Sequence, residues 1–149
     1  MLAVIGGAPT RFSQYIDLYK RAAAQFGTTA YPVGLHSPGF IADTDEQARE
    51  AVYEEFKKNR DQLGRERGWA PMSRQSFEAE ALHGSLYIGS PETVARKIAR
   101  TVGTLGIGRF DLIYTGGAVA ESARMKAVEL YGTKVIPLVR ELLADQRAN

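Results

Sequence analysis

Three short apolar segments alternate with helical patterns along this chain, and that order limits its fold more than any other feature. The apolar runs are LAVI at residues 2–5, YPVGLHSPGFIA at residues 31–42 and RFDLIYTGG at residues 109–117. Pro32 and Pro38 mark the predicted ends of the second run. Apolar runs of this length are typical of strands that are covered on both faces. The alternation of strand and helix therefore predicts an α/β fold with a parallel sheet.

Apolar residues between the predicted strands recur three and four positions apart, as on the buried face of a helix. The predicted buried stripes consist of Phe12, Ile16, Tyr19, Ala23 and Phe26; of Val52, Phe56 and Leu63; and of Val94, Ile98, Val102 and Leu105. Gly27 is predicted to end the first helix, and Ser90 to cap the third one ahead of Pro91. The residues after the third strand are also predicted to be helical, with a break at Gly132 and Pro137.

Residues 64–84 are predicted to form a mobile insertion within a single domain that spans residues 1–149. From Trp69 to Gly84 the sequence has no sheet period and only a short predicted helix from Ser73. Irregular insertions in compact domains are often functional lids, so we expect this segment to be the most mobile internal part of the chain. SLYIG, at residues 85–89, follows as a brief extended piece.

The composition excludes several classes of function. The 19 basic and 17 acidic residues are interspersed and give a net charge of +2, which leaves no electrostatic footprint for nucleic acid or an anionic membrane. The chain has no cysteine, so disulfides, thiolate metal sites and cysteine nucleophiles are excluded. No stretch is long enough to span a bilayer, and no basic leader precedes the first apolar run. These features predict a cytoplasmic protein.

Glycine pairs follow the first and the third predicted strand, where parallel α/β proteins place their ligands. At Gly6 and Gly7, and at Gly116 and Gly117, backbone amides could approach a phosphate or carboxylate closely. The alternative is that glycine only makes a tight turn from strand to helix. The sequence leaves both interpretations open.

His36 lies at the predicted end of the second strand, with Ser37 beside it. Of the two histidines in the chain, His36 is the better candidate for a functional residue. An imidazole at the mouth of a parallel sheet can bond a ligand or move a proton near neutral pH. A histidine bonded to local backbone in a Pro-Gly turn is an equal alternative. His83 lies in the insertion, and no spacing of histidines and acids suits a metal ion.

Several phrases of the chain together resemble the carboxy-terminal part of the luciferase-like monooxygenase family. They are IGGAPTRF, PVGLHSPGFIADTDEQARE, GRERGWAPMSR, YIGSPETVARKIAR and GRFDLIYTGG. The most specific is GSPETVARKI followed by a strand. The order and spacing of the phrases carry the resemblance over nearly the whole chain.

The resemblance implies a flavin-dependent oxidoreductase on a TIM-type (β/α)8 barrel that uses FMN or the deazaflavin F420. It implies that this chain supplies the last three parallel strand-helix units of an incomplete barrel, with Met1 at a position that is internal in longer relatives. The residues that relatives use for catalysis precede this part, so no catalytic residue carries over. Gly6, Gly7, His36 and Ser37 are carried over as cofactor-pocket residues only.

The expected function is therefore that of a carboxy-terminal fragment or short form of a luciferase-like flavin-dependent monooxygenase, inactive by itself. The alternative is a non-catalytic module that completes a barrel with another chain. Because open strand edges and faces must be covered, we expect a homo-oligomer or association with a separate amino-terminal half.

Overall fold

The structure is a computed structural model that describes the backbone of residues 2–4 and residues 8–114 and 119–148. Its elements, in chain order, are β1 (Leu2–Val4), a 3-10 turn (Pro9–Phe12), α1 (Ser13–Gln25), β2 (Gly34–Ile41), α2 (Asp45–Arg67), α3 (Arg74–His83), β3 (Tyr87–Gly89), α4 (Pro91–Leu105), β4 (Arg109–Tyr114), α5 (Glu121–Leu130), a π-helical turn (Tyr131–Val135) and α6 (Ile136–Ala148). The predicted alternation of strands and helices is confirmed.

The described strands form one parallel sheet with β2 at its centre. Residues 34–36 of β2 pair with both β1 and β4. Gly39 pairs with Tyr87 of β3 and with Tyr114 of β4. Strands β1 and β3 therefore lie one after the other along one edge of β2, and β4 lies along the other edge.

Two details of the sheet differ from the sequence prediction. SLYIG contains a fourth strand, because β3 pairs with the end of β2 beyond the point where β1 stops. Pro38 lies inside β2 and does not end it. Proline is tolerated there because β1 pairs only as far as His36 and β3 only from Gly39, which leaves position 38 unpaired along that edge.

One face of the sheet packs against helices. Leu35 is fully buried and clusters with Ile16 of α1, with Leu105 of α4 and with Ile107. Gly39, on the same face, is covered so closely by Leu112 that a Cβ there would lie 2.3 Å from the Leu112 Cδ1 atom. This packing fixes α1 and α4 on one side of β2.

The ends of the helices follow their local signals. Gly27, the predicted stop of the first helix, lies just beyond the C-cap of α1, and Gly106 is the C-cap of α4; both adopt left-handed backbone conformations. Two members of the predicted buried stripes are exposed instead, Phe26 by 75% and Leu63 by 40%. Phe26 lies at the C-cap, beyond the last turn of α1. Leu63 lies near the end of a 23-residue helix, where α2 outruns the strands it packs on.

The helix predicted to break at Gly132 and Pro137 instead runs on through a π-helical turn. Tyr131–Val135 form this turn between α5 and α6, and Pro137 lies at the second position of α6. Pro137 has no N–H to donate, and just before it the i→i+5 pattern replaces the regular one, with the Ile136 N–H donating to the Tyr131 carbonyl oxygen. The π turn absorbs the change in register without interrupting the helical path.

The predicted insertion, residues 64–84, contributes to the core. The last turn of α2 ends at Gly68, and α3 follows with Ser73 as its N-cap. Phe77 of α3 is fully buried, and its ring lies 5.1 Å from that of Tyr53. The mobility of this segment stays a prediction.

Ser90 caps α4 as predicted, and its contribution to stability is testable. Its Oγ accepts a hydrogen bond from the Thr93 amide at 3.3 Å. Ser90→Ala should lower the free energy of unfolding by about 1 kcal/mol, because an amide of the first turn loses its acceptor. Urea unfolding measures this change. An unfolding free energy equal to that of the parent would contradict the capping role.

Candidate functional site

The face of the sheet opposite Leu35 carries a small cluster of polar side chains. Because side chains alternate along a strand, His36 lies on this face, and the strand register places it beside Asp111 of β4. Both oxygens of Asp111 accept hydrogen bonds at 2.9 Å from Arg109 Nε, whose side chain is largely exposed. Ile113 is 44% exposed on the same face. The half-buried imidazole on this open face can serve as a hydrogen-bonding partner for a polar ligand.

The structure does not bring His36 and Ser37 together. His36 is the third residue of β2 and does not lie at its carboxyl end. Ser37 lies on the opposite face, is fully buried and donates to the Ser85 carbonyl oxygen at 2.6 Å. The hydroxyl of Ser37 thus holds the segment before β3 against β2. The assignment of both residues to a cofactor pocket stays a prediction.

The glycine pairs proposed to approach an anion lie outside the described residues. This holds for Gly6 and Gly7 after β1 and for Gly116 and Gly117 after β4. Their role as cofactor-pocket residues also stays a prediction.

The N-terminus of α4, which follows β3 directly, is occupied by a carboxylate of the chain itself. Asp45 accepts hydrogen bonds from the Ser90 amide at 2.6 Å and from the Thr93 hydroxyl at 3.0 Å. Burial alone would raise the pKa of Asp45, but these hydrogen bonds outweigh it and hold the pKa below its usual value. This helix end therefore already holds an anionic group of the chain itself.

A buried lysine that the sequence analysis missed ties α3 to α4. Lys97 is 5% exposed, and its ammonium group donates to the carbonyl oxygens of Glu80, Ala81 and Leu86 at 3.2, 2.7 and 2.7 Å. Burial lowers the pKa of Lys97 to about 8. The only sequence signal was its position next to Ile98, on the border of the buried stripe of α4.

A groove of about 450 Å³ runs beside β4 between α4 and α6. Its walls are mostly apolar and include Val102, Val135 and Leu143, while Arg109 and Arg140 supply charge. Tyr131 also lines the groove, and burial, together with the nearby charge of Asp111, raises the pKa of its hydroxyl. The groove lies alongside the strand that ends the described sheet.

The described residues contain neither a membrane-spanning helix nor a cluster of metal-binding side chains. In residues 2–4, 8–114 and 119–148, no helix has the length and apolar character needed to span a membrane. The same ranges contain no cluster of three or more histidines and acids that could hold a metal ion.

Comparison with protein-family models identifies the family of this chain. The model of the luciferase-like monooxygenase family matches residues 1–108 of the 149. The chain belongs to the luciferase-like monooxygenase family. The resemblance seen in the sequence is thereby confirmed. A search of curated protein sequences gave no significant match.

Solved structures with the same fold include luciferase-like monooxygenases and a reductase. The oxygenating constituent of 3,6-diketocamphane monooxygenase from Pseudomonas putida, in complex with FMN, is 20% identical with a TM-score of 0.70, over 93% of this chain and 42% of its own. Monooxygenase RslO1 from Streptomyces bottropensis is 18% identical with a TM-score of 0.69, over 91% and 40%. The coenzyme F420 dependent tetrahydromethanopterin reductase from Methanopyrus kandleri is 18% identical with a TM-score of 0.58, over 91% and 44%.

These likenesses show the fold, which is part of a TIM-type barrel. The luciferase-like chain spans about two fifths of the length of the solved structures that it matches.

Proposed function

We propose that this chain acts as the carboxy-terminal part of a luciferase-like flavin-dependent monooxygenase or related oxidoreductase and is inactive by itself. The observation that carries the proposal is the open sheet. In the described residues, β1 and β4 each pair only with β2. A barrel needs a closed ring of strands, so further strands must be supplied on both sides before a flavin is enclosed.

FMN or F420 is the cofactor that the family membership suggests. The described residues do not enclose such a molecule. The N-terminus of α4 already binds Asp45, and the open face offers only His36 and its neighbours on β4 as polar contacts. The 149-residue chain alone is therefore expected not to retain a flavin, and no step of a reaction is assigned to its residues.

We infer that strand edges and faces, together with the groove beside β4, are covered by another polypeptide. Unpaired edges of parallel sheets readily accept a further strand. The apolar groove next to β4 would be covered by such an addition. Either a second copy of this chain or a separate amino-terminal half can supply the strand. A cytoplasmic location fits this proposal.

Gel filtration with FMN, followed by light scattering, tests the proposal. We expect the chain alone to elute as a homodimer or larger oligomer without flavin absorbance. Co-expression with the amino-terminal strand-helix units of a family member should yield a mixed complex that retains flavin. Flavin retention by the chain alone would overturn its predicted inactivity, and a stable monomer at micromolar concentration would overturn the association.

The alternative function is a non-catalytic module that completes a barrel for assembly only. The observation that favours it is the lack of an enclosed cofactor site among the described residues. A mixed complex that forms but binds neither FMN nor F420 would support this alternative over the flavin-dependent function.

A further inference from the structure

A second groove, separate from the strand edges, lies between α2, α3 and the end of the sheet. Its volume is about 700 Å³, within the range of small-molecule sites. Phe56, Trp69, Met72 and Leu86 supply an apolar wall, and Arg60 contributes a charged group. Trp69 is 42% exposed, so its ring is accessible from the groove.

Two arginines bring positive charge to this groove without forming a direct ion pair in the described ranges. The guanidinium carbon of Arg60 lies 4.4 Å from the centre of the Trp69 ring, and that of Arg67 lies 5.1 Å from it. None of the ion pairs found in the described ranges includes either arginine. The Nη1 atom of Arg60 is buried without a hydrogen-bond partner. Because that atom is buried beside Gly64, a ligand in the groove would contact the other N–H groups of Arg60.

The nearby acids are engaged elsewhere. Glu80, which also lines the groove, accepts hydrogen bonds from the Ser85 amide at 2.9 Å and from the Ser85 hydroxyl at 3.2 Å. Asp61, next to Arg60 in sequence, binds Lys57 and accepts from the Met72 amide at 2.6 Å. The charge of Arg60 helps to lower the pKa of Asp61, but neither acid forms a direct ion pair with Arg60.

The guanidinium group of Arg60 is also held in place. Gly64, one turn further along α2, lies so close that a Cβ there would be 3.1 Å from Arg60 Nη1 and 3.4 Å from Trp69 Cβ. The group is thus packed between the helix surface and the indole ring. A donor that is ordered before binding loses less entropy when it binds a ligand.

We propose that this groove binds small aromatic carboxylates, with the ring against Phe56, Trp69 and Met72 and the carboxylate on Arg60. A guanidinium group matches a planar carboxylate with two parallel hydrogen bonds. The mostly apolar wall favours a singly charged ligand with a hydrocarbon body over a strongly hydrated phosphate. Binding at this groove requires no flavin, so its test does not depend on whether the proposed flavin-dependent function is correct.

Trp69 allows a direct test, because it is the only tryptophan in the chain. The chain is titrated with phenylacetate and with phenethyl alcohol, which has the same skeleton without the charge, while Trp69 fluorescence and the heat of binding are recorded. We expect phenylacetate to bind about tenfold more tightly than the alcohol, as one charge-assisted hydrogen-bond pair predicts.

Variants separate the charge from the groove. Arg60→Gln should weaken phenylacetate binding about tenfold and leave the binding of the alcohol unchanged. Arg60→Lys keeps the charge without the planar donor pair. Its affinity for phenylacetate should lie between those of the parent and of Arg60→Gln. Arg65→Gln, an exposed position on the same helix, is the matched control and should bind as the parent does. Equal affinity for acid and alcohol, or an Arg60→Gln variant that still prefers the acid, would overturn the proposal.

Discussion

Replacing Lys97 with methionine is expected to lower the free energy of unfolding by about 2 kcal/mol at neutral pH. The ammonium group serves three carbonyl oxygens, and those of Glu80 and Ala81 belong to the last turn of α3. Methionine fills a similar volume but removes the donor from the Ala81 and Leu86 carbonyl oxygens, while the Glu80 oxygen keeps its hydrogen bonds from the Gly84 and Leu86 amides. Hydrogen bonds from a charged donor contribute about 1.5–3 kcal/mol each, so their loss outweighs the relief of no longer burying a charge.

The effect of Lys97→Met should grow as the pH rises. Burial lowers the pKa of Lys97 from 10.5 in the unfolded chain to about 8 in the folded one. Between these values the unfolded state binds the extra proton, so the stability of the parent increases with pH across that window. The increase is at most about 3 kcal/mol, since each pKa unit corresponds to about 1.4 kcal/mol.

Urea unfolding of the parent and of Lys97→Met at pH 7 and at pH 10 measures both effects. The titration of other groups is common to the two proteins and cancels in the difference between them. A difference in unfolding free energy that stays constant with pH would contradict the lowered pKa. A variant as stable as the parent at pH 7 would contradict the structural role of the three hydrogen bonds.

Gly39→Ala is expected to lower the free energy of unfolding by about 3 kcal/mol. A Cβ at this position would lie 2.3 Å from Leu112 Cδ1 and 2.5 Å from the carbonyl oxygen of Tyr87. The leucine can change rotamer, but the carbonyl belongs to the backbone of β3, which pairs with β2 at this residue. Either β3 separates from β2 or the central strand bends.

Gly132→Ala provides the matched control. No atom lies within 4 Å of a Cβ built at Gly132, which is exposed within the π-helical turn. Alanine there should raise stability by up to about 1 kcal/mol, because it has the higher helix propensity. Thermal unfolding compares the two variants. A Gly39→Ala protein as stable as Gly132→Ala would show that the contact between β2 and β3 is looser than the structure indicates.

The sequence alone determined the alternation of the main strands and helices and the ends of two helices. Ser90 and Gly27 act on the few residues beside them, so their effect is visible without any knowledge of the fold. The buried stripe of α4 is equally local, because Val94, Ile98 and Leu105 repeat with the helical period. The family resemblance rested on the same local phrases and was confirmed.

Only the tertiary structure decided which residues share a surface. Tyr87–Gly89 form a strand because β1 leaves the edge of β2 unpaired beyond His36. A segment of three residues is too short to show the alternation of side chains that marks a strand in a sequence. Lys97 is buried because carbonyl oxygens 11 to 17 residues away meet its ammonium group. Arg60 forms no direct ion pair because the nearby acids, Asp61 and Glu80, accept hydrogen bonds from the amides of Met72 and Ser85. Each outcome depends on groups distant in sequence, whose positions are fixed only when the sheet and helices pack together.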